Sequence, residues 1–517
     1  MIAVLSSSCA RENLASRLDY VGPARESNAA DQPVASMPQP IPESGPVDLT
    51  ITGAILMAVE NNREFAVSRC NPAITRTSED VERAAFDPTL STEWSRRRTV
   101  TDQSALVDGD AERTTADSDS GSIGLDTFFP TGTTIALEGR AELDDDENNT
   151  SSTSLSITQS LLNGAGLGVN LASLRQARLD SRASEYELRG VAETLVADVE
   201  KTCWDYVLAL RQIEIYTDSL KLAEQQQTET QERVTVGKLA ETELAAARAE
   251  VALRREDLIN ARSSLTKTRL QLVRLLNLPG PDPWNREITV STAPTVPENA
   301  LDGVALHVAV ANRMRTDLNQ ARLDIQHGEL EVVKTRNGLL PRLDLFITLG
   351  STGYANSFGG SVEDMDGDSY DTLLGLQMEV PIGNREARAR DRRAELSLDQ
   401  SKIALENMAQ LVEVDVRSAH VDAESTKEQI AATAATRKLK EETLRAETEK
   451  FRVGKSTSFL VAQAQRDLVS SQISEVQAVI AHLEALVELY RLEGSLLERR
   501  GISCPGGEPV VAGEPRN

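Results

Sequence analysis

Two periodicities alternate along this chain, and they occur twice in the same order. In one stretch Leu343, Leu345, Ile347 and Leu349 share a face, with Asp344, Thr348 and Gly350 on the other. Leu374, Leu376, Met378, Val380 and Ile382 repeat this against Gly375, Gln377 and Glu379. An earlier stretch sets Leu155 and Ile157 against Ser154, Ser156 and Thr158. A period of two over about ten residues predicts strands with one apolar and one polar face. A lipid-facing barrel strand needs that pattern and length, and a half-buried soluble sheet shows it too. Four such strands are expected, two in each half.

The second period is near 3.5. From about Val169 to Val236 no proline interrupts the chain, and Gly190 is the only interior glycine. A helix there would be roughly 100 Å long, where a mean helix has about 11–12 residues. Val199, Cys203, Tyr206, Leu210, Ile213 and Leu220 form a heptad seam. After Gly237 it resumes with Leu244, Ala247, Val251, Leu258, Ala261, Leu265, Leu272 and Leu275. "ERVTVGKLAETELAAARAEV" at Glu232 returns as "EKFRVGKSTSFLVAQAQRDLV" at Glu449. Val236, Gly237 and Lys238 thus lie on Val453, Gly454 and Lys455, and Ala247 on Ala464. Glycine supplies the φ > 0 that lets a helix end and the chain reverse. Each Val-Gly-Lys is expected at the tip of an antiparallel helical hairpin.

A shorter helix precedes each set of strands, from Ala54 and from Ala305, with Asn61 matching Asn312. Each stops at a proline, Pro88 and Pro341, which turns the preceding residue extended. The order divides the chain into a leader and Pro-rich linker (1–46), a first repeat (47–290), a second repeat (291–500) and a disordered tail (501–517). The first repeat holds an extra segment, "GLDTFFPTGTTIALEG" from Gly124, whose Pro130–Gly132 signal reads as a hairpin. Acidic stretches from Asp108, Asp144 and Glu363 read as solvated loops; the last lacks the glycine and glutamate of a calcium loop.

Charge and composition narrow the function. The chain carries 80 acidic and 55 basic side chains, a net charge of −25, which argues against a nucleic-acid partner. No stretch is apolar for the roughly 18 residues that a spanning helix needs, so membrane insertion must use strands. The four cysteines are scattered without a metal or disulfide pattern. Cys9, behind an apolar stub and three serines, is a candidate lipid anchor, although Ser6 stands where such sites have leucine. The four histidines are far apart in sequence and read as packing or solvated residues. "GKST" at Gly454 has Glu449 where a phosphate loop needs glycine, and "NGAGLGVN" at Asn163 has Val169 in place of a third glycine. No catalytic constellation, metal site or cofactor motif emerges, so an enzyme is not expected.

Four strands cannot close a membrane barrel, whose smallest form has about 8, and an open edge is not tolerated in lipid. Two copies would give a filled barrel, and three would leave a channel. "LSITQSLLNG" from Leu155, "LGLQMEVPIGN" from Leu374 and the two Val-Gly tips follow one another in an order that resembles the TolC-like outer-membrane efflux protein family. The resemblance covers about Val47 to Glu498. It implies a mixed α/β, mainly α membrane protein. The homotrimer would place a β-barrel in the outer membrane, about four strands per protomer, above a coiled-coil α-barrel in the periplasm. The protein would be the passive exit duct of a tripartite efflux pump or type I secretion system. Its partners would be a periplasmic adaptor (membrane fusion protein), an inner-membrane pump and outer-membrane lipid. By the same resemblance Val236, Gly237, Lys238, Val453, Gly454 and Lys455 would dock the adaptor, and Glu447 and Glu449 would line a periplasmic gate. The alternative is a soluble periplasmic coiled-coil scaffold or adaptor without a channel. It explains the helices but not the alternating strands.

Overall fold

A computed structural model describes residues 45–103, 112–144, 149–297, 300–365 and 369–510; Cys9 lies outside them. β1 (Val47–Leu49) leads into α1 (Ile51–Asn61), α2 (Arg63–Ser68) and α3 (Asn71–Arg83). Four strands follow, β2 (Thr89–Gln103), β3 (Glu112–Phe129), β4 (Thr133–Asp144) and β5 (Asn149–Ser160). Next come α4 (Leu167–Asn170), the 64-residue α5 (Ala172–Thr235) and α6 (Glu241–Leu276). β6 (Ile288–Val290) precedes α7 (Val304–Met314), α8 (Thr316–Asn337), β7 (Arg342–Ala355), α9 (Phe358–Asp364) and β8 (Tyr370–Glu379). The chain closes with the 68-residue α10 (Arg385–Arg452), α11 (Ser458–Leu492) and α12 (Leu496–Arg499). The protein is mainly helical.

The long helices form where the heptad seams predict them. Val199, Cys203 and Tyr206 of α5 are buried, as are Leu244, Val251, Leu258 and Leu272 of α6. The two hairpins, α5 with α6 and α10 with α11, also pack on each other through α5 and α11. A core of Ala311, Leu318, Val412, Val416, Ala419 and Leu489 joins α7, α8, α10 and α11. β1 pairs in parallel with β6, so the start of the body is clasped to the end of its first half.

The strands depart from expectation. They form one antiparallel six-stranded sheet, ordered β2-β3-β4-β5-β7-β8, not a set of four. Four come from the first half and two from the second. The acidic stretch from Asp108 is not a loop throughout: from Glu112 it is β3. Its Asp117 and Asp119 sit across from Arg98 and Arg96 of β2. The Pro130–Gly132 segment is the turn of a β3–β4 hairpin, with Gly132 at φ +87°. Part of the stretch from Glu363 belongs to α9.

Two further differences have local causes. The short helices break, because Asn62 turns extended, accepts from the Phe65 N–H and donates to the Leu275 carbonyl at 2.9 Å. Arg315 makes the matching break between α7 and α8. The tail is not wholly loose either. Val510 is buried with Tyr186 and Leu323, its N–H donates to Asn319 Oδ1 at 2.9 Å, and the Tyr186 hydroxyl donates to the Glu508 carbonyl.

Candidate functional site

The sheet has two unlike faces. On one, a row across all six strands reads Leu90, Leu125, Leu137, Leu155, Leu349 and Thr372. The adjacent row reads Thr127, Ile135, Ile157, Ile347 and Leu374. Leu90, Leu374 and Leu376 are each about two-thirds exposed, at 65%, 66% and 66%. The other face is polar: Glu93, Ser122, Arg140, Ser152 and Thr352 form one of its rows. An apolar face left open to the surroundings beside a polar one suits a wall between hydrocarbon and water. Among the described residues no helix is long and apolar enough to cross a membrane.

The sheet is fastened to the helices by asparagines. Asn170 donates to the carbonyls of Pro130 (3.0 Å) and Gly164 (2.8 Å), tying the β3–β4 turn to the loop before α4. Asn337 accepts from the Gly164 N–H at 2.8 Å and donates to the Leu162 carbonyl. Asn384 donates to the Leu339 carbonyl at 3.1 Å. The rings of Phe86 and Phe128 stack at 5.9 Å beside the same turn.

At the far ends of the hairpins the two tips have the same geometry. Gly237 and Gly454 sit at φ +72° and +74°. The Lys238 N–H donates to the Arg233 carbonyl, and the Lys455 N–H to the Lys450 carbonyl, each at 2.8 Å. The Gly237 and Gly454 N–H groups donate to Val234 and Phe451. These are paired Schellman closures, in which glycine is required by φ alone; nothing would touch a Cβ at either position. Val236 and Val453 are 66% and 68% exposed, and both lysines are exposed. The tips lean on each other: Arg233 lies over the Phe451 ring at 5.1 Å, and Ser458 hydrogen-bonds Glu243.

The two glutamates before the second tip differ. Glu447 receives Lys450 Nζ at 2.5 Å and Ser456 Oγ at 2.8 Å, which hold its carboxyl below the usual range. It braces the turn. Glu449 is exposed and pairs with Arg452 at 2.7 Å.

Sequence reasoning missed the polar seam between the halves. Lys201 meets Glu488 at 2.6 Å, and Arg500 meets Glu200 at 2.6 Å. Burial pushes Glu484 up to about 7, with the Asp205 carboxylate adding to it. Burial acts on Glu488 too, but hydrogen bonds from Arg491 and Lys201 outweigh it and hold that carboxyl at about 2. Within the second half, three of the four histidines, distant in sequence, gather between α7, α10 and α11: His307 and His420 rings lie 5.6 Å apart, and His482 bonds the Ala423 carbonyl. They are packed, with His307 Nδ1 at 2.5 Å from Glu493. No described cluster of His, Cys, Asp or Glu is placed to hold a metal.

The fold is similar to that of several solved channels. The Campylobacter jejuni CmeC outer membrane channel aligns with a TM-score of 0.66 at 14% identity, covering 92% of this chain and 94% of that one. CusC, whose structures concern folding and transmembrane channel formation, aligns at 0.65 and 18%, covering 90% and 99%. The open state of the Neisseria gonorrhoeae MtrE outer membrane channel aligns at 0.61 and 20%, covering 86% and 89%. No curated protein matches the sequence. A family model described as outer membrane efflux protein matches residues 54–278 and 308–495. That span includes both hairpins and every strand of the large sheet, and the chain therefore belongs to the outer membrane efflux protein family, as an outer-membrane channel component with a periplasmic helical extension.

Proposed function

We propose that three copies of the chain enclose one pore, which serves as the passive exit duct of a tripartite efflux pump or type I secretion system. One observation carries this reading: among the described residues β2 and β8 each pair on one side only, in a sheet whose outward face is apolar in its lower rows, next to the helices. An open edge in hydrocarbon leaves a row of backbone N–H and C=O groups unsatisfied. Such a sheet needs further copies to close it. The helices continue the wall downward, about 96 Å for α5 and about 102 Å for α10 at 1.5 Å per residue.

In this reading the tips meet a periplasmic adaptor coupled to an inner-membrane pump. Val236 and Val453 offer small apolar surfaces, while Lys238 and Lys455 offer charges that steer a partner. Glu447 and Glu449 stand near the lower mouth, where threefold symmetry would gather their charge into a gate. Acylation of Cys9 would add a tether to the membrane. The soluble scaffold leaves the apolar sheet face without a role. Detergent-solubilised protein should give threefold particles with a long tube, and the gene should restore export to an efflux-deficient strain. A monodisperse, water-soluble monomer would refute the proposal.

A further inference from the structure

Resting on the trimeric reading above, we infer that the membrane barrel has eighteen strands, the β2 edge of each chain pairing with the β8 edge of the next copy. The barrel is then as wide as the helical tube beneath it.

Four strand ends are rooted in helices. α3 leads into β2, β5 into α4 and α5, α8 into β7, and β8 into α10. At that level α3, α5, α8 and α10 pack side by side in this order. The β3–β4 turn has no helix of its own; it lies between β2 and β5, held by Asn170. With strands ~4.8 Å apart and tilted ~40°, six occupy about 38 Å of circumference and four only about 25 Å. Four helices at ~10 Å occupy about 40 Å. Six strands match the helices below them, and the extra hairpin supplies the difference.

The tilt itself can be read from the register. Below the row from Leu90 to Thr372, β2 has one residue left, β3 and β4 four each, β5 five, and β7 and β8 seven each. A stagger of six residues, roughly 20 Å, accumulates over five strand spacings of roughly 24 Å in total, which gives a tilt of about 40°. Membrane barrels tilt by about 35–45°. The sheet already has the slope of a closed barrel.

The edges are compatible. All five pairings are antiparallel, so β8 runs opposite to β2 and closure continues the alternation. If the same six-residue stagger persists, Leu90 falls opposite Met378, Trp94 opposite Leu374 and Arg98 opposite Tyr370. Outward residues then meet outward residues. Three sheets close at a backbone diameter of about 36 Å, against about 24 Å for twelve strands. The outer membrane would not narrow the duct, and cargo that clears the helical tube would clear the barrel.

Cryo-EM of the detergent-solubilised full chain counts chains and strands separately. Three chains and eighteen strands are expected. Three chains with twelve strands, β4 closed on β8 and the β2–β3 ribbon outside the wall, would overturn the inference and leave the trimer standing. A particle without threefold symmetry would overturn both. Crosslinking gives a second readout: Trp94→Cys is combined with Leu374→Cys, or with Leu376→Cys to cover one step of register. Oxidation should join neighbouring chains in one of these pairs and in none of the single variants. A folded trimer in which neither pair crosslinks would remove the β2–β8 contact.

Discussion

The two halves of the chain agree in their helices and disagree in their strands. α5 and α10 have 64 and 68 residues, and their return helices α6 and α11 have 36 and 35. Yet the first half supplies four strands of the large sheet and the second only two. Helix length is constrained because both tips must reach one depth, where Arg233 lies over Phe451 and Ser458 bonds Glu243. Strand number carries no such constraint. A sheet needs only a total width and an even count, and either half can provide it.

The sharpest way to break the likeness of the helices is at the tips. Gly237→Pro with Gly454→Pro forces φ near −65° where about +70° is needed and removes two N–H donors, at roughly 3 kcal/mol per site. Export of a marker substrate should fall to the level of the null strain, while a blot still finds the protein in the outer membrane. Equal losses from the two single changes would show the tips to be equivalent.

The inequality of the strands can be tested at two glycines. A Cβ on Gly132 would lie 2.5 Å from the Gly164 carbonyl oxygen, at positive φ. Gly132→Val should therefore lower the melting temperature of the assembly, at about 2–3 kcal/mol of strain. A Cβ on Gly350 in the second half meets nothing closer than 3.7 Å, so Gly350→Ala should change little. Asn170→Ala, which leaves the Pro130 and Gly164 carbonyls without a donor, should cost about 1–2 kcal/mol in the same measurement.

Smaller effects come from charge. Lys238→Glu with Lys455→Glu should weaken adaptor binding about tenfold at low salt, with the gap closing as salt screens it. At the seam between the halves, burial first and Asp205 second raise the Glu484 pKa from 4.5 to about 7. Its folded pKa lies above its unfolded one, so the stability that this group contributes is present at low pH and lost as pH rises through about 7. Glu484→Gln should raise the melting temperature at about pH 8 and leave it unchanged at about pH 4.

The helices and tips were legible because their signals are local: a heptad seam, and a glycine where φ must be positive. β7, β8 and β5 were legible because apolar and polar residues alternate cleanly. β2 and β3 were not. The outer halves of β2 and β3 exchange apolar side chains for Arg96, Arg98, Asp117 and Asp119, which hides the alternation; the two aspartates read as loop charges until the register places them across from the arginines. The available signal was the mirrored spacing of arginines and aspartates about the intervening segment. The converging histidines and the packed Val510 depend on contacts between distant parts of the chain, which no window of sequence contains.

The asparagine joint at the sheet's base has a mechanical consequence. Asn170, Asn337 and Asn384 bond backbone carbonyls across the junction, so the helices leave the sheet at a set angle. From there α5 acts as a lever arm of about 96 Å. A swing of only ~5° at the joint displaces the tip by roughly 8 Å on that length. In the proposed trimer a wide change of aperture at the lower mouth would therefore need almost no movement near the membrane, and the stiffness of a few amide hydrogen bonds would set how still the far end can be held.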